Sequence, residues 1–315
     1  MSAVGAVLRQ PWAWAWAGAL AVWLATAAFT GGTGSGSVLS AAFTFGAFFV
    51  IVALGQMFVV TLGPGNVDLS IPACMTLAGT VAMKTMDGAA AMIPVGLLIA
   101  LGIGLMVGVI NYSLIRLLRI PPIIATLSSS FIFQSAAIWW NRGLRVKPPE
   151  ILADFTTAKI AGMPVIALFV IALAVGGHIV LTRTIFGRSV LAIGQNMRAA
   201  HLAGVRVERV RAATYIACAT LAGLCGYLLA GFSGGAALNM GEEYLLSSIA
   251  VVVIGGTSVA GGFANVPGLW GAALFLFLLV TMLNTFGAGA GVRMVLTGLI
   301  IIGVIVAASG SRRTD

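Results

Sequence analysis

Acid is what this chain has least of. Eight of its 315 residues are Asp or Glu, two are His, and charged residues of both signs make up only 8%. Carriers driven by protons place carboxylates or histidines within their spans as relays. Here Asp68 is the one carboxylate deep in an apolar stretch, with Glu242 and Glu243 at the edge of another. A self-powered carrier is therefore poorly equipped. Catalytic sets are equally thin, because His178 and His201 flank the start of a basic loop with no motif tying either to a nucleophile. No G-x-x-x-x-G-K-[ST] loop occurs, which excludes the usual cradle for ATP phosphates. Cysteine is scarce too. Cys74, Cys218 and Cys225 all fall in apolar runs without metal-ligand spacing, so neither a disulfide framework nor a zinc site is indicated and the thiols are expected to pack in the interior.

What is abundant is apolar surface. Hydrophobic residues reach 60%, against about half in soluble domains, and apolar windows of about 18 residues or more recur along the chain. Near-full spans are expected at 12–29, 38–62, 66–84, 91–115, 122–140, 163–182, 211–232, 266–286 and 292–309, with a shorter segment at 244–256, about ten in all. The fold class is all-α integral membrane protein, a single transmembrane domain over 1–315 with broken or half-length helices. Arg9 ahead of the run 12–29 raises the question of a signal peptide. That run exceeds the ~7–15 residues of a signal core, and Trp12, Trp14 and Trp16 look like an interfacial belt, so it is taken as the first span.

The formal charge of +9 does not point to nucleic acid, because six of the 17 basic residues lie between Arg183 and Arg211 and most others are in short loops. This is positive-inside topology. It places Arg116, Arg119, the loop 183–210, Arg312, Arg313 and both termini in the cytoplasm, and 31–37 and 141–162 outside. Counting 66–84 as a crossing is what keeps the short loops in agreement with the charge bias.

Segments 66–84 and 244–256 are the least regular. "GPGNVDLSIPACMTLAG" and "GGTSVAGGFANVPGLWGA" each carry a Gly-rich break followed by an apolar run. Irregular backbone at membrane depth persists only where protein buries it or water lines it, so broken segments in both halves point to a transport pathway. Asp68, loosened by Gly65 and Asn66, has two readings. It is either a cavity-lining group for a polar solute, or a carboxylate accepting backbone N–H bonds at a helix start, with Ser70 helping and Pro72 early in the next helix. Asn111, Thr126, Ser128, Ser129, Ser130, Gln134, Asn239 and Asn284 are uncharged polar residues in or beside spans. They suit a neutral, hydroxyl-rich solute, or else bond helix to helix. The pathway set drawn from these is Asn66, Asp68, Ser70, Asn111, Thr126, Ser128, Gln134, Asn239 and Asn284; no metal site is expected.

Residues 186–205, "FGRSVLAIGQNMRAAHLAGV", break the apolar pattern. Asn196 is a good N-cap and Gly204 a good C-terminal stop, bracketing "MRAAHLA" as a helix of about two turns, ~10 Å long. A helix that short is unstable alone in water and must dock on its own protein, on a partner or among lipid headgroups. Met197, Ala200 and Ala203 would form its small apolar edge, with Arg198 and His201 facing elsewhere.

These residues carry a family likeness. "GNVDLSIPACMTLAG", "PPIIATLSSSFIFQS", "FGRSVLAIGQNMRAAHLAGV" followed by "RVERVR", and "IAVVVIGGTSVAGGFANVPGLWGA" resemble, in this order, the permease subunits of bacterial ABC importers for monosaccharides, the ribose, xylose, arabinose and galactoside group. The likeness runs from about residue 40 to the C-terminus. It implies an ABC importer permease fold in the bacterial inner membrane and a permease dimer, homomeric or heteromeric. It further implies two cytoplasmic ATPase subunits that carry ATP and Mg, and an extracytoplasmic sugar-binding protein. No cofactor is implied for this chain and no enzymatic step. The coupling helix of that family maps onto Gly187, Arg188, Ala192, Ile193, Gly194, Asn196, Ala199, Ala200, Leu202 and Gly204. Departures from the family pattern are Asn66 and Pro72 where glycine is usual, Ser128 for glycine, Arg198 for an acidic residue, and Phe263 for arginine. The first three bear on the solute; Arg198 implies an ATPase partner with its own charge pattern. The expected function is translocation of a pentose or hexose. The rivals are the same permease type for a nucleoside, an autoinducer-like solute or a branched-chain amino acid, an ATP-independent carrier or channel, and a scaffold without transport.

Overall fold

The computed structural model describes residues 11–141, 146–287 and isolated positions from 289 to 303. In chain order the helices are α1 (Pro11–Phe29), α2 (Ser35–Thr61), α3 (Ile71–Met86), α4 (Ile93–Leu117), α5 (Pro122–Trp140), α6 (Glu150–Thr157), α7 (Val165–Arg183), α8 (Ile185–Gln195), α9 (Met197–Leu202), α10 (Val207–Phe232), α11 (Glu242–Ile254) and α12 (Val266–Thr285). The strands are β1 (Lys159–Ile160) and β2 (Met163–Pro164), a two-residue antiparallel pair. Among the described residues seven helices are long and apolar enough to cross a membrane: α1, α2, α4, α5, α7, α10 and α12.

Burial sorts these helices into two layers. In the most apolar windows of α10 and α12, 67% of residues are buried, against 28% in α4, α5 and α7. The inner group is α2, α10 and α12, with α3 wedged against α10, α4 and α5. The outer helices leave residues such as Leu98, Phe131 and Ile132 about two thirds exposed, at 69%, 67% and 66%, as a lipid-facing surface requires. Lipid offers no hydrophobic drive between helices, so close van der Waals packing through small residues holds the bundle together. The α4–α10 pair shows this: a Cβ on Gly108 would lie 2.5 Å from the Ile216 backbone, and one on Gly104 2.6 Å from that of Thr220. The three cysteines are free and buried, as expected, with Cys74 donating its thiol to the Ala219 carbonyl at 3.3 Å.

Three expectations need correction. Residues 66–70 are not helical, since α3 starts only at Ile71. Gly63 and Gly65 take positive φ, 116° and 77°, and Pro72 sits in the first turn, so α3 has 16 residues, short of a full span; α11, with 13, is the short segment expected. Residues 141–162 hold more than a loop. Helix α6 turns Leu152 inward, where a Cβ on Gly231 of α10 would meet its side chain at 2.8 Å. The basic loop contains an additional helix, α8, whose Gly187, Val190 and Ile193 recur every third residue and are buried. The last expected span, 292–309, lies largely outside the described residues, as do Arg312 and Arg313.

Candidate functional site

A buried polar cluster surrounds the first helix break. Asp68 is fully buried. Its Oδ1 accepts from the Ser70 backbone N–H at 2.9 Å and the Ser70 hydroxyl at 2.7 Å, with Asn111 Nδ2 at 3.4 Å. Asn111 Nδ2 also reaches Ser70 Oγ at 2.7 Å, and the Ser129 hydroxyl donates to Asn111 Oδ1 at 2.5 Å. Gln56 pairs with the backbone of the break, its Oε1 accepting from Asp68 N–H at 3.2 Å and its Nε2 donating to Asp68 C=O at 3.5 Å. Thr126 Oγ1 accepts the Leu69 N–H at 3.0 Å. Backbone of the break that lipid could not satisfy is thus bonded by side chains of α2 and α5, while Asn111 of α4 holds the Asp68 and Ser70 side chains. One oxygen is left out: Asp68 Oδ2 is buried with no hydrogen-bond partner.

Of the pathway residues proposed from sequence, Asp68, Ser70, Asn111 and Thr126 meet in this cluster. Asn66 stands beside it, accepting the Tyr215 hydroxyl at 3.2 Å. The others lie elsewhere. Ser128 is exposed, one residue off the buried face that carries Thr126 and Ser129. Gln134 donates to the Leu238 carbonyl at 2.7 Å, near the other end of α5, while Asn239 and Asn284 are exposed. Sequence reasoning passed over Gln56, although a lone amide in 27 otherwise nearly apolar helical residues was a usable signal. It also left Ser129 out of the set, three residues from Thr126 on the same face, and missed Tyr215.

The second break, Gly255–Asn265, is closed largely by its own residues. Ser258 N–H bonds Phe263 C=O at 3.0 Å, Thr257 Oγ1 accepts Asn265 N–H at 3.2 Å, and the Asn265 side chain caps α12 at Gly268 N–H, 3.4 Å away. Gly255 and Gly268 touch backbone to backbone, so that a Cβ on Gly268 would overlap the Gly255 carbonyl.

The basic loop joins the two breaks. The Thr184 side chain caps α8 by accepting Gly187 N–H at 3.1 Å, and a Cβ on Gly187 would overlap the Val180 and Leu181 carbonyls. At the far end of α8, Gly194 has no room for a side chain, because a Cβ there would meet Thr61 O and the Gly262 N–H. Gly262 itself donates to Thr61 C=O at 3.0 Å, and a Cβ on Gly261 would lie 2.5 Å from Gly63 Cα. The end of α8, the end of α2 with the first break, and the second break therefore share one glycine-lined junction.

Helix α9 follows directly. Asn196 caps it, its side chain accepting Ala199 N–H at 2.9 Å, and Gly204 ends the turn with φ 86°. The helix has six residues, and Ala203 is its terminal cap, outside the helix proper. Of the expected apolar edge only Ala200 packs inward, 6% exposed; Met197 and Ala203 point outward, as do Arg188, Arg198, Ala199 and His201. Leu202, 79% exposed, is the most exposed apolar side chain on this knob. Beside it, Glu208 at the start of α10 pairs with Arg116 at 2.9 Å and Arg211 at 3.6 Å and accepts the Tyr112 hydroxyl at 2.7 Å.

Among known proteins, the family described as branched-chain amino acid transport system permease component matches residues 38–305. The chain belongs to this permease family. The autoinducer 2 import system permease protein LsrC of Enterobacter sp. (strain 638) is 30% identical over 258 residues, covering 82% of this chain and 74% of that protein. The probable ABC transporter permease protein y4mJ of Sinorhizobium fredii (strain NBRC 101917 / NGR234) is 32% identical over 264 residues, 83% of this chain and 78% of that one. No solved structure matches the chain. The permease is thus a multi-pass membrane protein of the ABC importer type, and the likeness drawn from its motifs stands.

Proposed function

We propose that the permease carries a neutral sugar, a pentose or hexose, inward across the bacterial inner membrane. Its work is done by separate ATPase subunits that bind ATP and Mg; the chain itself binds no cofactor and catalyses no reaction. An extracytoplasmic binding protein delivers the solute, and a second permease chain completes the pathway. In this reading α3 with its extended lead-in and α11 with its loop each count as a crossing, so that with the last segment about ten cross in all, as one domain. The α8–α9 side and both termini face the cytoplasm.

The observation that carries the proposal is the glycine junction. Closure of the ATPases moves the knob at α9; α8, pinned at Gly187 and Gly194, passes that movement to both helix breaks at once. A conformational change needs an input that favours one state over the other, and ATP binding to the partner supplies it. The neutral polar groups around the first break, Ser70, Asn111, Thr126 and Ser129, together with the one carboxylate of Asp68, suit a solute rich in hydroxyls. Relatives named for autoinducer 2 import support a second reading of the solute alone.

Vesicles containing the permease, its ATPase and its binding protein should accumulate a labelled pentose, hexose or autoinducer 2 only with ATP, and the panel identifies the solute. Accumulation by the permease alone would sink the proposal in favour of a secondary carrier or channel. Gly194→Ala should leave ATP hydrolysis running while uptake falls, with membrane abundance as the check on folding.

A further inference from the structure

A cleft of about 790 Å³ opens between α9 and the facing ends of α4 and α10, lined by Arg116, Arg198, His201, Arg206 and Arg209 among others, with Glu208 its only carboxylate. That carboxylate is already engaged: its two oxygens serve Arg116, Arg211 and the Tyr112 hydroxyl. Among the described residues Arg198, Arg206 and Arg209 have no acidic group within salt-bridge distance. Three exposed guanidinium groups around one concavity, each with its planar fork of donors unpaired by any carboxylate, repel one another and favour an anionic occupant.

Leu202 indicates which kind. It stands 79% exposed on the same knob, and Met197, 41% exposed, lines the cleft itself. A phosphate ion or a lipid headgroup would neutralise the arginines and leave Leu202 in water. A protein surface covers both, and an apolar anchor ringed by charges is the anatomy of a protein interface. Ala200 is packed against the permease itself, so the knob presents Leu202 and the arginines in a fixed relation.

We infer that the cleft receives an acidic surface of the ATPase subunit, with carboxylates meeting Arg198, Arg206 and Arg209 beside an apolar pocket for Leu202. This rests on the transport function proposed above and goes beyond it, since it states the charge that a matching ATPase must carry and so which ATPases this permease accepts. Complementary charge at such a contact acts on partner choice and on the rate of encounter.

The test compares ATPase binding by full-length permease variants in neutral-lipid nanodiscs, at low and high salt. The double variant Arg198→Glu/Arg206→Glu should weaken binding by about tenfold or more. Arg198→Lys/Arg206→Lys should stay within about threefold of the parent, because it keeps the charge while losing the fork geometry. Binding by the parent should fall between ~0.1 M and ~1 M salt, where the screening length shrinks from ~10 Å to ~3 Å. Parent-like binding by the double Glu variant overturns the inference. So does a result in which that variant loses only anionic lipid from mixed-lipid discs, which would assign the cleft to headgroups. Leu202→Asp separates the two levels. If it abolishes ATPase binding while the double Glu variant binds normally, the acidic surface is wrong and the transport function stands. Should both variants bind normally, the coupling role of the knob fails with it.

Discussion

The two helix breaks meet the same difficulty by different means. Each exposes backbone N–H and C=O groups inside the bundle, where no water is at hand to bond them. The first break, through Gly63–Ser70, borrows side chains: Gln56, Thr126, Asn111 and the carboxylate of Asp68 bond its extended residues. The second, through Gly255–Asn265, bonds mainly to itself and to the neighbouring chain end, through Ser258 to Phe263, Thr257 to Asn265 and Gly262 to Thr61. Side-chain bonds can be exchanged one at a time, whereas backbone packing admits no intermediate. The first break is therefore the more adjustable, fit for the proposed solute path, and the second the more rigid, the bearing in that proposal. Both meet the end of α8 at Gly194, through which the proposed coupling would reach them.

This contrast can be broken experimentally, starting at the bearing. Gly268→Leu would force a side chain into the Gly255 backbone, with no flexible neighbour to yield. We expect a loss of more than about 3 kcal/mol and a steep fall in membrane-inserted protein, read by thermal unfolding in detergent and by membrane abundance. Near-parental stability would show that the second break is not rigid.

At the first break Asp68→Ala removes the acceptor for the Ser70 N–H, the Ser70 hydroxyl and the Asn111 amide. A cost of about 2–3 kcal/mol follows from leaving buried donors unpaired. Asp68→Asn retains an acceptor in place of Oδ1 and should cost less than half as much in the same unfolding measurement. Equal costs for the two would make the negative charge itself the stabilising element. Uptake separates the roles further: if Asp68→Asn folds yet transports poorly, the unpartnered Oδ2 serves the solute path.

Thr126→Val removes the acceptor for Leu69 N–H, with the hydroxyl that donates to the Pro122 carbonyl at 2.9 Å and reaches the Val67 carbonyl at 3.4 Å, and should cost about 1 kcal/mol. Ser128→Ala, on the exposed face of the same helix, should change stability by no more than about 0.5 kcal/mol. A larger effect at Ser128 than at Thr126 would undo the assignment of the buried face and with it the cluster.

Much of this was legible before any coordinates. The scarcity of charge, the recurring apolar windows and the grouping of arginines near 183–211 established a multi-pass helical protein. Asn196 and Gly204, eight positions apart, marked the short helix to within a residue. The polar residues of the spans could be named but not sorted. Ser128 and Ser129 are adjacent and chemically identical, yet one faces outward and the other bonds Asn111 at 2.5 Å, a difference set by helix rotation alone. The same holds for Ala200 and Ala203, whose order of burial depends on which side of α9 the rest of the permease lies.

The sequence by itself determined the medium, the helix-making segments and the places where helices must stop, because hydropathy, capping residues, proline and glycine act over a few neighbouring positions. Only the tertiary structure decided that Gly63, Gly194 and Gly261 meet, that Gln56 serves Asp68, and that one carboxylate is shared by Arg116 and Arg211 while nearby arginines stay unpaired. Those contacts join residues more than a hundred positions apart in some cases, and no local pattern encodes them: each exists because close helix packing leaves a single arrangement in which the buried backbone is bonded and small residues touch.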